Sequence, residues 1–180
     1  KVLRRKGKKP GTQEKRGRFN VKKTIKDRPQ EVENREIFAH WELDTMVSSR
    51  GQSKGCLATF VERKTRFYIA IKMDNRSKDS MFLAISSLYN TLTSKLLKTF
   101  TVDRGKEFAC FEQVETEFGI PMYFADAYAA WQRGSNENSN GLLREFFPKK
   151  TDLAKVTLDK LTEILMLINN RPRKYLGFNT

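Results

Sequence analysis

Polar and apolar residues alternate over residues 40–47. His40, Glu42 and Asp44 fall on one side of an extended chain, and Trp41, Leu43 and Thr45 on the other. Successive side chains in a strand point to opposite faces, so this pattern predicts a strand with one acidic face. Residues 55–61 (GCLATFV) are almost continuously apolar and predict a strand buried on both sides. A tight turn at 62–65 leads to a third strand over 66–73, completing an antiparallel meander. From residue 79 the period lengthens. Phe82, Ile85, Leu88, Tyr89 and Leu92 recur at helical spacing, predicting a helix over 79–97 with a break near Thr93 and Ser94. Residues 98–103 read as a short strand ending on an acid. Residues 107–118 read as a helix stopped by Gly119, and 120–124 as another short strand. After a loop at 125–131, a helix is expected from Asn136 to Phe147, with Gly134 and Ser135 as its start signal and Pro148 beyond its end. On it Glu137, Asn140, Gly141 and Arg144 share one face, while Leu142, Leu143, Phe146 and Phe147 form most of an apolar one. A last helix over 157–169 presents Leu158, Leu161, Ile164, Leu165 and Ile168. Residues 31–37 have room for one helical turn.

Three antiparallel strands followed by alternating helices and strands predict an α/β domain, a mixed five-stranded sheet flanked by helices. That is the layout of a ribonuclease H-like domain.

Composition changes this picture at one end. Hydrophobic residues make up 38% of the 180-residue chain, and the formal net charge is +14. Residues 1–30 carry 13 of the 35 Lys and Arg and only 2 of the 21 acids, so the rest is near balance. The expected organisation is therefore a basic extended arm over 1–30 and a catalytic domain over 31–180. A basic block of this kind binds polyanions, with nucleic acid the natural partner. It has few large apolar residues to enter a membrane surface. No apolar run approaches the length that spans a bilayer, and no apolar stretch follows the basic start as in a signal peptide. The chain opens on Lys1, as expected for a piece of a longer protein. Cys56 and Cys110 lack metal spacing and read as small buried residues in a reducing cytoplasm.

In this layout the first strand is central and the fourth lies beside it, making Asp44 and Asp103 neighbours. Glu137, on the later helix, is expected to pack across the same end. Convergent carboxylates repel unless a cation offsets them. Hard oxygen ligands suit Mg²⁺, with Mn²⁺ as a substitute, and a pair of such ions supports phosphodiester chemistry. Each acid also has a plainer reading, as a solvated strand residue (Asp44), a turn residue (Asp103) or a first-turn acid favoured by the helix dipole (Glu137). Glu42 is read as structural, and so is His40, the chain's one histidine. Glu107 and Asp126 are the acids most easily confused with the three. Trp131 is either core or a stacking platform for an unpaired base. Arg133 is better placed for phosphate than for core, whereas Arg171, Arg173 and Lys174 read individually as solvated charges.

Three motifs, HWELDTM, TVDRGKEFA and WQRGSNENSNGLLREFFPK, resemble the catalytic core of bacterial DDE transposases of the insertion-sequence-thirty family. The downstream DLAKVTLDKL and NNRPRKYLGF extend the likeness, which covers residues 28–180. Thirty-three residues separate Asp103 from Glu137, the family's spacing. Ala39 and Leu43 stand where the family commonly has glycine, and DAYAA replaces a loop that often holds proline. The resemblance implies a retroviral integrase-like ribonuclease H fold, with Asp44, Asp103 and Glu137 as the catalytic and metal-binding triad. It implies Arg144 as a residue facing donor-end phosphates, and a helix-turn-helix region that is not visible here.

The expected activity is Mg²⁺-dependent cleavage freeing a 3′-hydroxyl at an element's end, then strand transfer into target DNA. The expected partners are the terminal inverted repeats, target DNA and further copies of the chain, in a dimer or larger assembly, in the cytoplasm and without a membrane. Arg133, Arg144, Lys149, Trp131, Asn138 and Lys106 are the expected DNA contacts. Two rival readings are a ribonuclease H-like nuclease and a non-catalytic basic DNA-binding module.

Overall fold

The structure, a computed structural model, describes residues 20–49, 51, 53–127 and 129–180. Its main elements are α1 (Gln30–Asn34), β1 (His40–Val47), β2 (Cys56–Glu62), β3 (Tyr68–Met73), α2 (Lys78–Thr91), β4 (Thr99–Val102), α3 (Phe111–Phe118), β5 (Met122–Phe124), α4 (Gly134–Phe146) and α5 (Leu158–Asn169). They form one mixed sheet of order β3-β2-β1-β4-β5. β1 is central, antiparallel to β2 and parallel to β4. The expected fold class and element order are observed.

Side-chain alternation on β1 assigns the layers. Trp41 and Leu43 join a core with Ile85 and Leu88 of α2, Phe111 and Val114 of α3, and Phe100, Phe108 and Phe124. Burying each such large side chain contributes about 1.5–3 kcal/mol. Phe118 of α3 stacks on Phe82 and Tyr89 of α2, at 5.6 and 4.6 Å between ring centres, tying the two helices together. On the opposite face Met46, Leu57, Val61 and Tyr68 pack with Leu143 of α4, with Phe147 just past its end, and with Leu161, Ile164 and Ile168 of α5. β2 is buried along its whole length, as its uniform apolarity requires. Gly119 ends α3 in the left-handed conformation at φ 68°, its N–H donating to Glu115 O at 3.1 Å.

Three expectations need correction. The apolar face of α4 excludes Phe146, which is exposed, and that of α5 excludes Leu158, which projects into solvent at the helix start. Gly134 and Ser135 lie inside α4 rather than before it. The arm expected over 1–30 lies outside the described residues as far as residue 19. Residues 20–30 are not free: Thr24 pairs in parallel with Phe124, Val21 packs on the core, and Lys23 pairs with Glu115 at 2.9 Å.

Each edge strand has a residue whose outward backbone is engaged. Phe124 N–H on β5 donates to Lys23 O at 3.0 Å. On β3, Asn169 accepts the Tyr68 N–H and donates to Tyr68 O, both at 2.8 Å. Farther along the same strand Lys72 Nζ donates to Ala154 O and Val156 O at 3.0 and 2.5 Å. Among the described residues no helix is long and apolar enough to cross a membrane.

Candidate active site

Register places the two aspartates. Glu42 on β1 lies opposite Thr101 on the parallel β4, and two residues further along each chain are Asp44 and Asp103. A step of two keeps the same face, so both carboxylates emerge side by side on the α4 side of the sheet. Asp103 follows the end of β4, where its Oδ1 accepts the Gly105 N–H at 2.8 Å.

Two like charges so close require compensation. Arg133, just ahead of α4, supplies it: Nη1 lies 3.6 Å from Asp44 Oδ1 and Nη2 3.2 Å from Asp103 Oδ2. Nη1 also donates to Leu43 O at 3.1 Å. Asn140 Nδ2 donates to the other Asp44 oxygen at 3.1 Å, and the Asn140 carbonyl accepts the Tyr68 hydroxyl at 2.7 Å. Burial holds the Asp44 carboxyl above the usual carboxylate range. The Arg133 charge and the Thr45 N–H oppose that rise, and the Asp103 charge adds to it.

The sheet also anchors the start of α4. Asn136 N–H donates to Glu42 Oε2, and its side-chain amide to Glu42 O, both at 3.0 Å. The other Glu42 oxygen accepts from Arg63, a fully buried guanidinium whose Nε also donates to Val32 O at 3.0 Å. Glu42 is thus structural, as expected. So is His40, whose Nδ1 lies 2.8 Å from Thr99 Oγ1.

Glu107 lies beneath β1 on the opposite face, wholly buried. It accepts from Thr45 Oγ1 at 3.0 Å and from Arg76 Nε at 2.6 Å, while its Oε2 has no hydrogen-bond partner among the described residues. A Cβ added to Gly105 would lie 2.6 Å from that oxygen, so the turn after Asp103 needs glycine. Asp126 is held by Gln132, which donates to its Oδ2 at 3.0 Å and accepts its N–H at 2.8 Å.

Glu137 is exposed on α4, its carboxylate without a hydrogen bond or ion pair among the described residues. The structure therefore brings together two of the three expected acids. Among the described residues no three of His, Cys, Asp and Glu gather closely enough to hold a metal ion. Arg133 lies between the two aspartates, and Asn140 lies beside Asp44.

Trp131 is 76% exposed, which removes it from the core. Arg144 is tied down, donating to Val47 O at 2.8 Å. Lys106, Asn138 and Lys149 are exposed. Asn140 and Asn136 were legible as two poor helix formers spaced four apart inside an expected helix. Arg76, in a polar loop, carried no signal.

Residues 35–130 match a family model described as integrase core domain, a span holding Asp44 and Asp103. The chain is 40% identical over 167 residues to the transposase InsI for insertion sequence element IS30A of Escherichia coli K12, covering 92% of this chain and 43% of that protein. It is 37% identical to the transposase for insertion sequence element IS4351 of Bacteroides fragilis, covering 87% and 47%. It is 34% identical to the transposase for IS1086 of Cupriavidus metallidurans, covering 93% and 49%. The chain thus spans less than half the length of these curated relatives. Among solved structures, a chain of a simian T-cell lymphotropic virus intasome in complex with PP2A regulatory subunit B56 gamma shares the fold. Its TM-score is 0.55 at 18% identity, covering 73% of this chain and 46% of that one.

Proposed function

Because the chain belongs to the integrase core domain family, we propose that it is the catalytic core of an insertion-sequence DNA transposase. It would free a 3′-hydroxyl at the element's end by cutting a phosphodiester, and then join that hydroxyl to target DNA. The observation that carries this reading is the pair Asp44 and Asp103, in register at the ends of two parallel strands and sharing one cationic partner.

The chemistry of the aspartate pair suits a divalent ion. Two hard carboxylates already hold a cation between them, the Arg133 guanidinium standing where a metal's charge is needed. Mg²⁺, with Mn²⁺ as substitute, would be held by Asp44 and Asp103, with Glu137 contributing from α4. When bound, such an ion would lower the pKa of the water that attacks in cleavage and of the 3′-hydroxyl that attacks in joining, and would stabilise the leaving oxygen. The chain's own residues do the positioning. Glu42 fixes the first turn of α4 through the Asn136 N–H, and so sets where Glu137 stands relative to β1. Asn140 orients the Asp44 carboxylate. Arg133, once released from the aspartates, turns to a DNA phosphate. Arg144, Lys149 and Lys106 hold the backbone, Asn138 contacts the strand, and the exposed Trp131 ring offers a stacking surface for an unpaired base. The division into a basic arm (1–30) and a catalytic domain (31–180) belongs to the same proposal. So do the terminal inverted repeats and target DNA as substrates, assembly of two or more copies on DNA, and action at the bacterial nucleoid.

The test is cleavage and joining of labelled duplexes carrying candidate element ends, with Mg²⁺, with Mn²⁺ and with EDTA, comparing the protein with its Glu137→Gln variant. Metal-dependent joined products, lost in the variant, are expected. Cleavage of RNA–DNA hybrid without joining would replace the transposase reading with a nuclease.

A further inference from the structure

A second cluster of charge lies on the far flank of α4, away from the carboxylates. Arg35, Arg66, Arg171, Arg173 and Lys174, with the ring of Tyr175, line a cavity of about 500 Å³, and among the described residues no Asp or Glu side chain lines it. The cations come from four separate parts of the chain: the end of α1, the turn before β3, the loop after α5, and the short helical turn that follows.

Several observations show that this convergence is built. Arg35 and Arg66 both adopt the left-handed backbone conformation, at φ 58° and 63°. That conformation is unfavourable for a long side chain and persists where surrounding structure enforces it, often at ligand sites. Arg66 is locked: it donates to Ser135 Oγ in the first turn of α4, and its guanidinium lies 4.6 Å from the centre of the Tyr175 ring. Arg173 is pinned by a 3.0 Å bond from Nη2 to Ile168 O. Like charges also crowd here. Burial and the neighbouring Arg35 charge weaken the hold of Arg66 on its proton, while the Glu42 and Glu62 charges partly oppose that; burial and Arg171 weaken the hold of Arg173. Fixed, mutually repelling guanidiniums without a carboxylate in the lining form a site that an oxyanion relieves.

We propose that this cavity binds one backbone phosphate of a nucleic-acid strand, at a site separate from the aspartate pair. The planar Arg66 and Arg173 groups offer forked donors to phosphate oxygens. The exposed Arg171 and Lys174 extend the positive surface outward, and the half-exposed Tyr175 ring offers a face to an adjacent base. Identification of the strand as DNA rests on the transposase reading; the phosphate site itself does not.

Arg35→Gly separates binding from folding, because it removes a cation while supplying the residue that tolerates a positive φ. Arg171→Gln combined with Lys174→Gln is a second variant, at two exposed positions. Duplex DNA binding would be titrated in EDTA across a salt series, beside thermal unfolding with inorganic phosphate. Expected are unchanged or raised thermal stability for Arg35→Gly, about tenfold weaker DNA binding for each variant, and a log–log salt slope flatter by about one. Variants that bind DNA like the parent overturn the proposal. Phosphate-induced stabilisation that Arg35→Gly abolishes, with DNA affinity untouched, overturns the strand assignment in favour of a small free anion. If the parent binds no DNA while phosphate still stabilises it, the transposase reading fails, and the strand assignment fails with it.

Discussion

Glu42 Oε2 on the central strand accepts the backbone N–H of Asn136 at 3.0 Å. A buried carboxylate thereby stands where a side-chain cap would stand, and it positions the helix that carries Glu137. The same carboxylate neutralises Arg63, which is 2% exposed. One side chain thus links core electrostatics to site geometry.

Glu42→Gln is expected to cost about 3–5 kcal/mol in urea unfolding, because it leaves the buried Arg63 charge with only the exposed Glu33, 4.0 Å away. A cost below about 1 kcal/mol would show that other groups neutralise Arg63.

Asp44→Asn and Asp103→Asn are expected to preserve folding and to lower DNA cleavage by at least about a hundredfold, since each removes ligand charge worth several kcal/mol in the transition state. Circular dichroism and a gel assay measure the two effects. Near-normal cleavage by either variant would remove that residue from the catalytic set.

Arg133→Gln leaves two adjacent carboxylates without their guanidinium. The variant is expected to melt lower than the parent in EDTA, by about 2–4 °C for each kcal/mol lost, and to gain more from added Mg²⁺. Equal Mg²⁺-induced shifts in both proteins would mean that Arg133 and the metal do not compete for the same oxygens.

His40 gives a sign for pH dependence. Burial lowers its pKa from the ordinary 6.5, Glu31 and Glu62 oppose that, and Lys98 and Arg63 add to it. Below pH 6.5 the unfolded chain therefore takes up a proton that the folded one resists, so stability present above that pH is lost as pH falls. Urea midpoints from pH 7.5 to 5 are expected to drop, and the drop is expected to shrink in His40→Gln. An unchanged slope in the variant would assign the acid sensitivity to other groups.

Gly105→Ala is expected to destabilise by about 1–3 kcal/mol, because the new methyl displaces Glu107 from Thr45 and Arg76. Parental stability in this variant would show that the turn shifts freely.

Strand positions were readable where apolarity is continuous, as in β2, or where polar and apolar residues alternate, as at the start of β1, since each pattern has one satisfactory placement against a core. The aspartates were readable because acids disfavour strands and stand out in them. The start of α4 was misjudged at Ser135, a residue type that signals a cap but here turns inward to Arg66. The Arg133 bridge and the Arg35–Arg66–Arg173 cavity were not readable, because each depends on side chains far apart in sequence that meet only through the packed fold. Taken singly, those arginines have the composition of ordinary surface.

The amide of Asn169 satisfies both backbone groups of Tyr68, and the main chain at Lys23 does similar work for Phe124 on the opposite border. Each flank of the sheet thus carries a short imitation of a neighbouring strand, and this seals positions through which β-structures add further copies of themselves. A multimer of this chain built by lengthening the sheet would first have to evict these stand-ins. Assembly through helices and loops requires no such eviction, so the five-stranded platform can persist as one unit whatever number of copies gathers around it.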